Sequence, residues 1–194
     1  MTRDELLDLF RRSGALLEGH FRLTSGLHSS GYLQCALVLQ HPHHAETLGR
    51  AIAARTRDLR ATLVLSPALG GVVIAHEVGR ALGVRAIFAE RQDGVLMLRR
   101  GFVIGEGDRV LVVEDVLTTG GSTRETMRVA LAAGGQVVGS CAGACYHRGV
   151  WVSISTETGV NGASMSSMIR NKSAILSAAI ARLLASAAPG NPWM

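Results

Sequence analysis

Lysine is almost missing from this chain: Lys172 is the only one among 20 cationic side chains in 194 residues. Aromatic residues make up 4%, and none is interleaved with a basic run, which argues against a nucleic-acid surface. Three cysteines, Cys35, Cys141 and Cys145, form neither an even set nor a CxxC pair. A disulfide framework is therefore not expected, and buried thiols are the plain reading. No apolar run reaches bilayer-spanning length. The N-terminal stretch MTRDELLDLFRR carries acids where a secretion signal needs an apolar core. These features lead us to expect a cytoplasmic chain with no membrane partner.

Hydrophobic residues reach 47% and mean hydropathy is +0.25, enough for one sizeable core and too much for a disordered chain. The formal charge of +5 and pI of about 9.8 suit a polyanion, and phosphate esters qualify as well as nucleic acid.

Apolar periodicity predicts a helix over Asp4–Leu17, with Leu6, Leu7, Phe10 and Leu17 on its inner face. A polar, Gly- and Ser-rich stretch follows over Glu18–Gly31. Tyr32–Leu39 reads as a strand and Ala45–Leu59 as a helix. Then strands and helices alternate: strand Thr62–Leu65, turn Ser66–Gly71, helix Val72–Leu82 stopping at Gly83, strand Arg85–Ala89. Glu90–Asp108 reads as a long polar loop. Strand Val110–Val113, helix Arg124–Ala133 and strand Gln136–Gly139 complete the pattern. Such alternation implies an α/β fold with a parallel sheet covered on both faces. Ligands then bind outside the carboxyl ends of the strands. No repeat or linker divides residues 1–194, so one domain is expected.

The chemistry concentrates in Val110–Thr123. Four apolar residues make a buried strand that delivers Glu114 and Asp115 to the carboxyl edge. Thr118, Thr119, Gly120, Gly121, Ser122 and Thr123 then open a helix. Glycines let backbone N–H groups converge on one anion, and the helix N-terminus adds partial positive charge. Carboxylates just before such a cradle can accept hydrogen bonds from ribose hydroxyls, so a sugar phosphate fits the segment end to end. It lacks the Gly-Lys-Ser/Thr of a P-loop and the GxGxxG of a dinucleotide fold.

This segment resembles the motif with which type I phosphoribosyltransferases bind phosphoribosyl pyrophosphate (PRPP). The resemblance implies their fold: a mostly parallel central sheet flanked by helices, with a small N-terminal hood. Other pieces resemble the orotate phosphoribosyltransferase branch. Phe21–Tyr32 is similar to its orotate-side segment, which implies orotate contacts from Thr24, Ser25, Gly26, Tyr32 and Thr118. Arg124 matches the arginine that reaches the orotate carboxylate, a planar group suited to an arginine fork. Ala68, Leu69 and Gly70 lie in a segment similar to the pyrophosphate turn. Ala89-Glu90-Arg91 begins the loop that closes over the neighbouring subunit's site, with Arg91, Arg99 and Arg100 as its cations. The resemblance further implies a homodimer and Mg²⁺, held through substrate and water near Glu114 and Asp115. The rivals are a purine-type phosphoribosyltransferase, opposed by Ser25-Gly26 and Arg124, and a non-catalytic PRPP-sensing regulator, for which no helix-turn-helix candidate is visible.

The chain departs from the family where lysines are usual: Gly70, Gln92 and Thr24 stand in their places. His41-Pro42-His43-His44 reads as a solvated loop before a helix, and His76 as structural. After about Gly139 the resemblance fades. Ser153–Ser167 is polar, and Ser173–Ala187 reads as an Ala/Leu helix. The abrupt break favours a reading frame lost near residue 140 over a divergent natural end, and a poorly ordered tail is then expected.

Overall fold

The computed structural model describes residues 1–22, 28–117, 119–146, 150–151 and 155–158. Contacts divide the chain into Met1–Thr158 and Gly159–Met194; the latter lies outside the described residues, as do the expected helix at Ser173–Ala187 and most of Ser153–Ser167.

Helix α1, Arg3–Arg12, begins at a capping box: Thr2 Oγ1 accepts the Glu5 N–H, and the Glu5 carboxylate accepts the Thr2 N–H at 2.7 Å. Leu6, Leu9 and Phe10 are buried on its inner face. It ends five residues before the expected boundary, because Ser13 caps it and Gly14 turns the chain at φ 64. Leu17, expected inside, sits 41% exposed on strand β1, Leu16–Arg22. β1 pairs antiparallel with β2, His28–Leu33. Much of the polar Glu18–Gly31 stretch is thus a hairpin: with one face open, its strands need little apolar residue. The strand expected over Tyr32–Leu39 stops at Leu33. Ala36–Leu39 is instead a short helix, α2. Helix α3, Pro42–Thr56, starts at the residue whose fixed φ favours a first helical position. His43 and His44 therefore lie in its first turn rather than in a loop.

From here the chain builds one sheet. Strand β3, Leu63–Pro67, leads into α4, Gly70–Leu82, which stops at Gly83 as expected. β4, Arg85–Gln92, and β5, Val95–Leu98, follow, then β6, Arg109–Leu117, helix α5, Gly121–Ala132, and β7, Gln136–Tyr146. Two short strands, β8 (Val150–Trp151) and β9 (Ser155–Thr158), pair back antiparallel on β7. The order is β5-β4-β3-β6-β7-β8, with β3, β4, β6 and β7 mutually parallel. Two expectations are corrected. The stretch Glu90–Asp108 holds a β4–β5 hairpin rather than an unbroken loop. β7 runs seven residues past Gly139, paired to β6 as far as Leu117↔Cys145.

The sheet separates two cores. One joins Val64, Leu111 and Val113 to Phe10, Val38, Leu48, Ile52, Ile74 and Val78 of α1–α4. The other joins Leu65, Val110 and Val112 to Met127 and Ala130 of α5 and to Leu96 and Ile104. β6 alternates between them because neighbouring side chains on a strand point to opposite faces. No helix among the described residues is long and apolar enough to cross a membrane.

Candidate active site

The alternation of β6 continues through its acids and parts them. Glu114 follows Val112 to the α5 face, where its carboxylate accepts hydrogen bonds from Ser122 Oγ and Thr123 Oγ1. Asp115 follows Val113 to the α4 face and lies over the β3–α4 turn: a Cβ added to Gly70 would come within 2.6 Å of Asp115 Oδ2. Glu114 is only 6% exposed. Burial raises both carboxyls above the ordinary range; hydroxyl hydrogen bonds at Glu114 and backbone N–H bonds at Asp115 oppose the rise without cancelling it.

With Asp115 packed on the turn, no side chain fits at 70 without displacing the carboxylate. Ala68, Leu69 and Gly70 carry no polar side chain; the Ala68 N–H donates to the Ala89 carbonyl at 2.8 Å, and Leu69 is 85% exposed.

Both helices that open at this edge lack a side-chain cap. α4 begins after Leu69, and α5 after Gly120, whose φ of 71 is left-handed. Their first N–H groups have no intrahelical acceptor and form ready anion sites. Ser122 and Thr123 add hydroxyls at α5. Arg124, in the same first turn, lays Nη1 on the Thr119 carbonyl at 3.0 Å, which leaves the other edge of its guanidinium for a ligand. Thr24, Ser25, Gly26 and Thr118 lie outside the described residues. Tyr32 is 37% exposed on β2 and packs against Phe21, with ring centroids 5.7 Å apart.

The three loop arginines all lie on or beside the β4–β5 hairpin and are exposed. Arg91 pairs with Glu125 of α5 at 2.5 Å and Arg100 with Glu90 at 2.7 Å. The acidic partners went unnoticed in sequence: pairs 10 and 34 residues apart have no periodic signal. Cys35 was also missed as a neighbour of the site. Its buried thiol donates to the Asp115 carbonyl at 3.7 Å, and burial with the Asp115 charge pushes its pKa up, so it supplies no thiolate nucleophile. His28, at the start of β2, has Nδ1 2.7 Å from Nε2 of His20 across the hairpin.

Among the described residues no group of three or more His, Cys, Asp or Glu could hold a metal. A carboxylate edge beside two anion sites instead fits Mg²⁺, which typically binds one or two carboxylates plus substrate phosphates and keeps its waters.

No family model matches the chain. Curated relatives do. An orotate phosphoribosyltransferase from Pelotomaculum thermopropionicum is 58% identical over 140 residues, 72% of this chain and 74% of the relative. One from Heliobacterium modesticaldum is 59% identical over 139 residues, 71% of this chain and 73% of the relative.

The chain belongs to the orotate phosphoribosyltransferase family.

Solved structures agree. The Mycobacterium tuberculosis H37Rv orotate phosphoribosyltransferase in complex with PRPP matches with TM-score 0.59 at 28% identity, over 76% of this chain and 85% of that one. An adenine phosphoribosyltransferase from Leishmania donovani, at 18% identity and TM-score 0.56 over 72% of this chain and 67% of that one, shows only that the type I fold is shared with an enzyme named for a purine base. The orotate phosphoribosyltransferase fold of this chain is therefore the one expected from its motif.

Proposed function

We propose that this chain transfers the 5-phosphoribosyl group of PRPP to orotate, giving orotidine 5′-monophosphate and pyrophosphate in pyrimidine synthesis. The observation that carries the proposal is the carboxyl edge of β3 and β6. Two uncapped helix N-termini flank a pair of carboxylates, in a chain whose curated relatives bear the name of that activity.

The 5′-phosphate goes to the α5 N-terminus, held by backbone N–H groups of Thr119–Ser122, while the Ser122 and Thr123 hydroxyls donate to Glu114. The pyrophosphate goes to the turn Ala68-Leu69-Gly70. Between these anchors the ribose faces Asp115 and Glu114. Asp115 and Glu114 would hold Mg²⁺ through substrate and water, and the ion would supply charge neutralisation for the leaving pyrophosphate. The C1–oxygen bond breaks and the pyrophosphate leaves with its electron pair. A C1–nitrogen bond to orotate then forms. Positive charge develops on the ribose in between, and the carboxylates stabilise it. No covalent nucleophile is needed; placement of the two substrates does most of the work. Arg124 holds the orotate carboxylate, with Thr24, Ser25, Gly26, Tyr32 and Thr118 around the base. The hairpin arginines help exclude water from PRPP.

Product analysis with orotate, uracil and hypoxanthine tests the proposal. Orotidine monophosphate from orotate alone is the expected result, and product from hypoxanthine but not orotate would reject it. We place the enzyme in the cytoplasm as a homodimer whose hairpin serves the neighbouring site. Mixing an inactive Asp115→Asn variant with an inactive Arg99→Ala/Arg100→Ala variant should restore activity through hybrid dimers. No recovery despite proven subunit exchange would refute the trans arrangement. We also propose a single domain whose sequence turns atypical from about residue 140 through loss of the natural frame. The matched span of 139–140 residues supports this. A source nucleotide sequence in which no other frame restores an apolar strand and an acidic-basic pair would count against it.

A further inference from the structure

The β1–β2 hairpin is rooted in the core at one end. Leu33 is buried, and the Gln34 N–H donates to the Ala15 carbonyl at 2.9 Å, closing the end beside α1. The strands run outward from Leu16↔Leu33 to Arg22↔His28, and a bulge interrupts them. Glu18 pairs with Gly31 and Phe21 with Ser29, so Gly19 and His20 together oppose one residue of β2. A bulge of this kind re-aims a side chain. Here it turns His20 along the ribbon, where its Nε2 meets Nδ1 of His28 at 2.7 Å, with ring centroids 4.8 Å apart. The bulge also places Phe21. A Cβ added to Gly19 would lie 3.3 Å from the Phe21 ring, and that ring packs against Tyr32. His28 and Tyr32, four residues apart on β2, share a face of the strand.

Two imidazole nitrogens facing each other at this distance share one proton: one ring donates its N–H and the other accepts it on a bare nitrogen. With both rings protonated, two donors would face each other and the bond would be lost. Histidine is the side chain that changes charge between about pH 5 and 8. Neither ring has another hydrogen bond or any ion pair among the described residues. The other charged residues of the hairpin are Glu18 and Arg22, the latter being the register partner of His28. Helix α1, packed on β1, carries Arg3, Asp4, Glu5, Asp8, Arg11 and Arg12, and its Glu5 and Asp8 are engaged at Thr2 and Arg12. Strand β8, packed on β2, has no ionisable side chain. Among the described residues, then, no carboxylate pairs with either ring to offset a second proton.

We propose that His20 and His28 are positioning residues for the base: their shared proton fixes the bulged register in which Phe21 backs Tyr32 at the orotate site. This deepens the transferase proposal and rests on it. The pair acts through Tyr32 rather than on the reacting atoms, so it governs how well orotate is held and not how fast the bound substrates react. A second proton unfastens the outer end of the hairpin, the end with no root in the core.

The test is steady-state kinetics of the full chain from about pH 5 to 8, reading kcat and both KM values. Wild type is compared with His20→Phe and with the double variant His20→Gln/His28→Asn. Phenylalanine keeps a ring and removes the nitrogens. Glutamine and asparagine reach as far as Nε2 and Nδ1 and restore a donor–acceptor pair that does not titrate. At the alkaline end wild type and the double variant should share one orotate KM. Relative to the double variant, the wild-type orotate KM should rise about three- to tenfold as pH falls, the scale of one net hydrogen bond. His20→Phe should show that rise at every pH. The PRPP KM and kcat should follow one course in all three chains, which cancels the titration of substrate phosphates and of Glu114 and Asp115. A ratio of wild type to double variant that is constant with pH, a wild-type orotate KM in His20→Phe at the alkaline end, or effects shared by the PRPP KM or confined to kcat would each overturn the assignment and leave the transferase proposal standing. A wild-type chain that makes no orotidine monophosphate at any pH overturns both.

Discussion

β3–α4 and β6–α5 are the same device built twice and finished differently. Each is a buried strand, a tight turn and a helix that opens without a side-chain cap. The β6–α5 turn is lined with hydroxyls. The β3–α4 turn has none and can offer an anion only backbone N–H groups. Each unit also receives one of the two acids of β6: Glu114 on the hydroxyl side, Asp115 on the bare side. At the bare turn the Asp115 carboxylate lies over Gly70, met by backbone N–H groups and, among the described residues, by no cationic side chain. In the proposed reaction that turn takes its cations from outside, from the substrate's own metal or from the hairpin. The hydroxyl-lined turn is complete within its own unit.

This contrast should appear first in the acids. Asp115→Asn is expected to lower turnover by about 100-fold or more, the scale of losing one electrostatic contact to a transition state. Glu114→Gln should cost less, because an amide can still bond both hydroxyls. It should also gain thermal stability over wild type as pH rises. A carboxyl whose folded pKa is raised contributes stability below its unfolded value near pH 4.5 and loses it as pH climbs through the folded value. Equal kinetic losses in the two variants would break the distinction between the units. Next in size, Gly70→Ala should weaken PRPP binding and destabilise the fold by about 1–3 kcal/mol through overpacking on Asp115; unchanged melting and unchanged PRPP KM would show that the carboxylate has room to move. Arg124→Ala removes a charge-assisted pair worth about 1.5–3 kcal/mol, so the orotate KM should rise about tenfold while the PRPP KM holds. A rise in both would merge the base site with the phosphate site. The smallest effect belongs at the opposite end of the strands. Asp108 accepts hydrogen bonds from Gly105 N–H, Arg85 and Thr62, joining the starts of β6 and β3. These contacts lower its pKa, so its contribution is present above the unfolded value near 4 and fades as pH falls through the folded one. Asp108→Asn should cost about 1 kcal/mol at neutral pH, with the gap to wild type closing in acid and kinetics untouched.

The chemistry of the edge was legible because it depends on local order. A short apolar strand, two acids and a Gly/Thr/Ser turn name both the elements and the ligand class, and β6–α5 stands where that pattern puts it. Three things were hidden. The hairpin β4–β5 was hidden because nine of its twelve strand residues are exposed or only partly buried, so neither strand has the continuous apolar run of β3 or β6. The separation of Glu114 from Asp115 follows from strand pleating but means something only once α4 and α5 are known to lie on opposite faces. The extension of β7 to Tyr146 was hidden because Ser140–Ala144 are small residues. Their burial comes from neighbours, not from their own hydrophobicity.

That extension has a consequence for solubility. An eleven-residue strand at the margin of a parallel sheet would present a long row of unpaired backbone groups, a template for another chain to add to. Here β9 pairs Gly139–Ala142 and β8 pairs Cys145–Tyr146, while β5 covers β4 on the far side. Both margins of the parallel core are thus finished by short antiparallel pieces, none longer than four residues. Growth of the sheet by accretion stops at strands too brief to seed it, which protects against edge-to-edge aggregation.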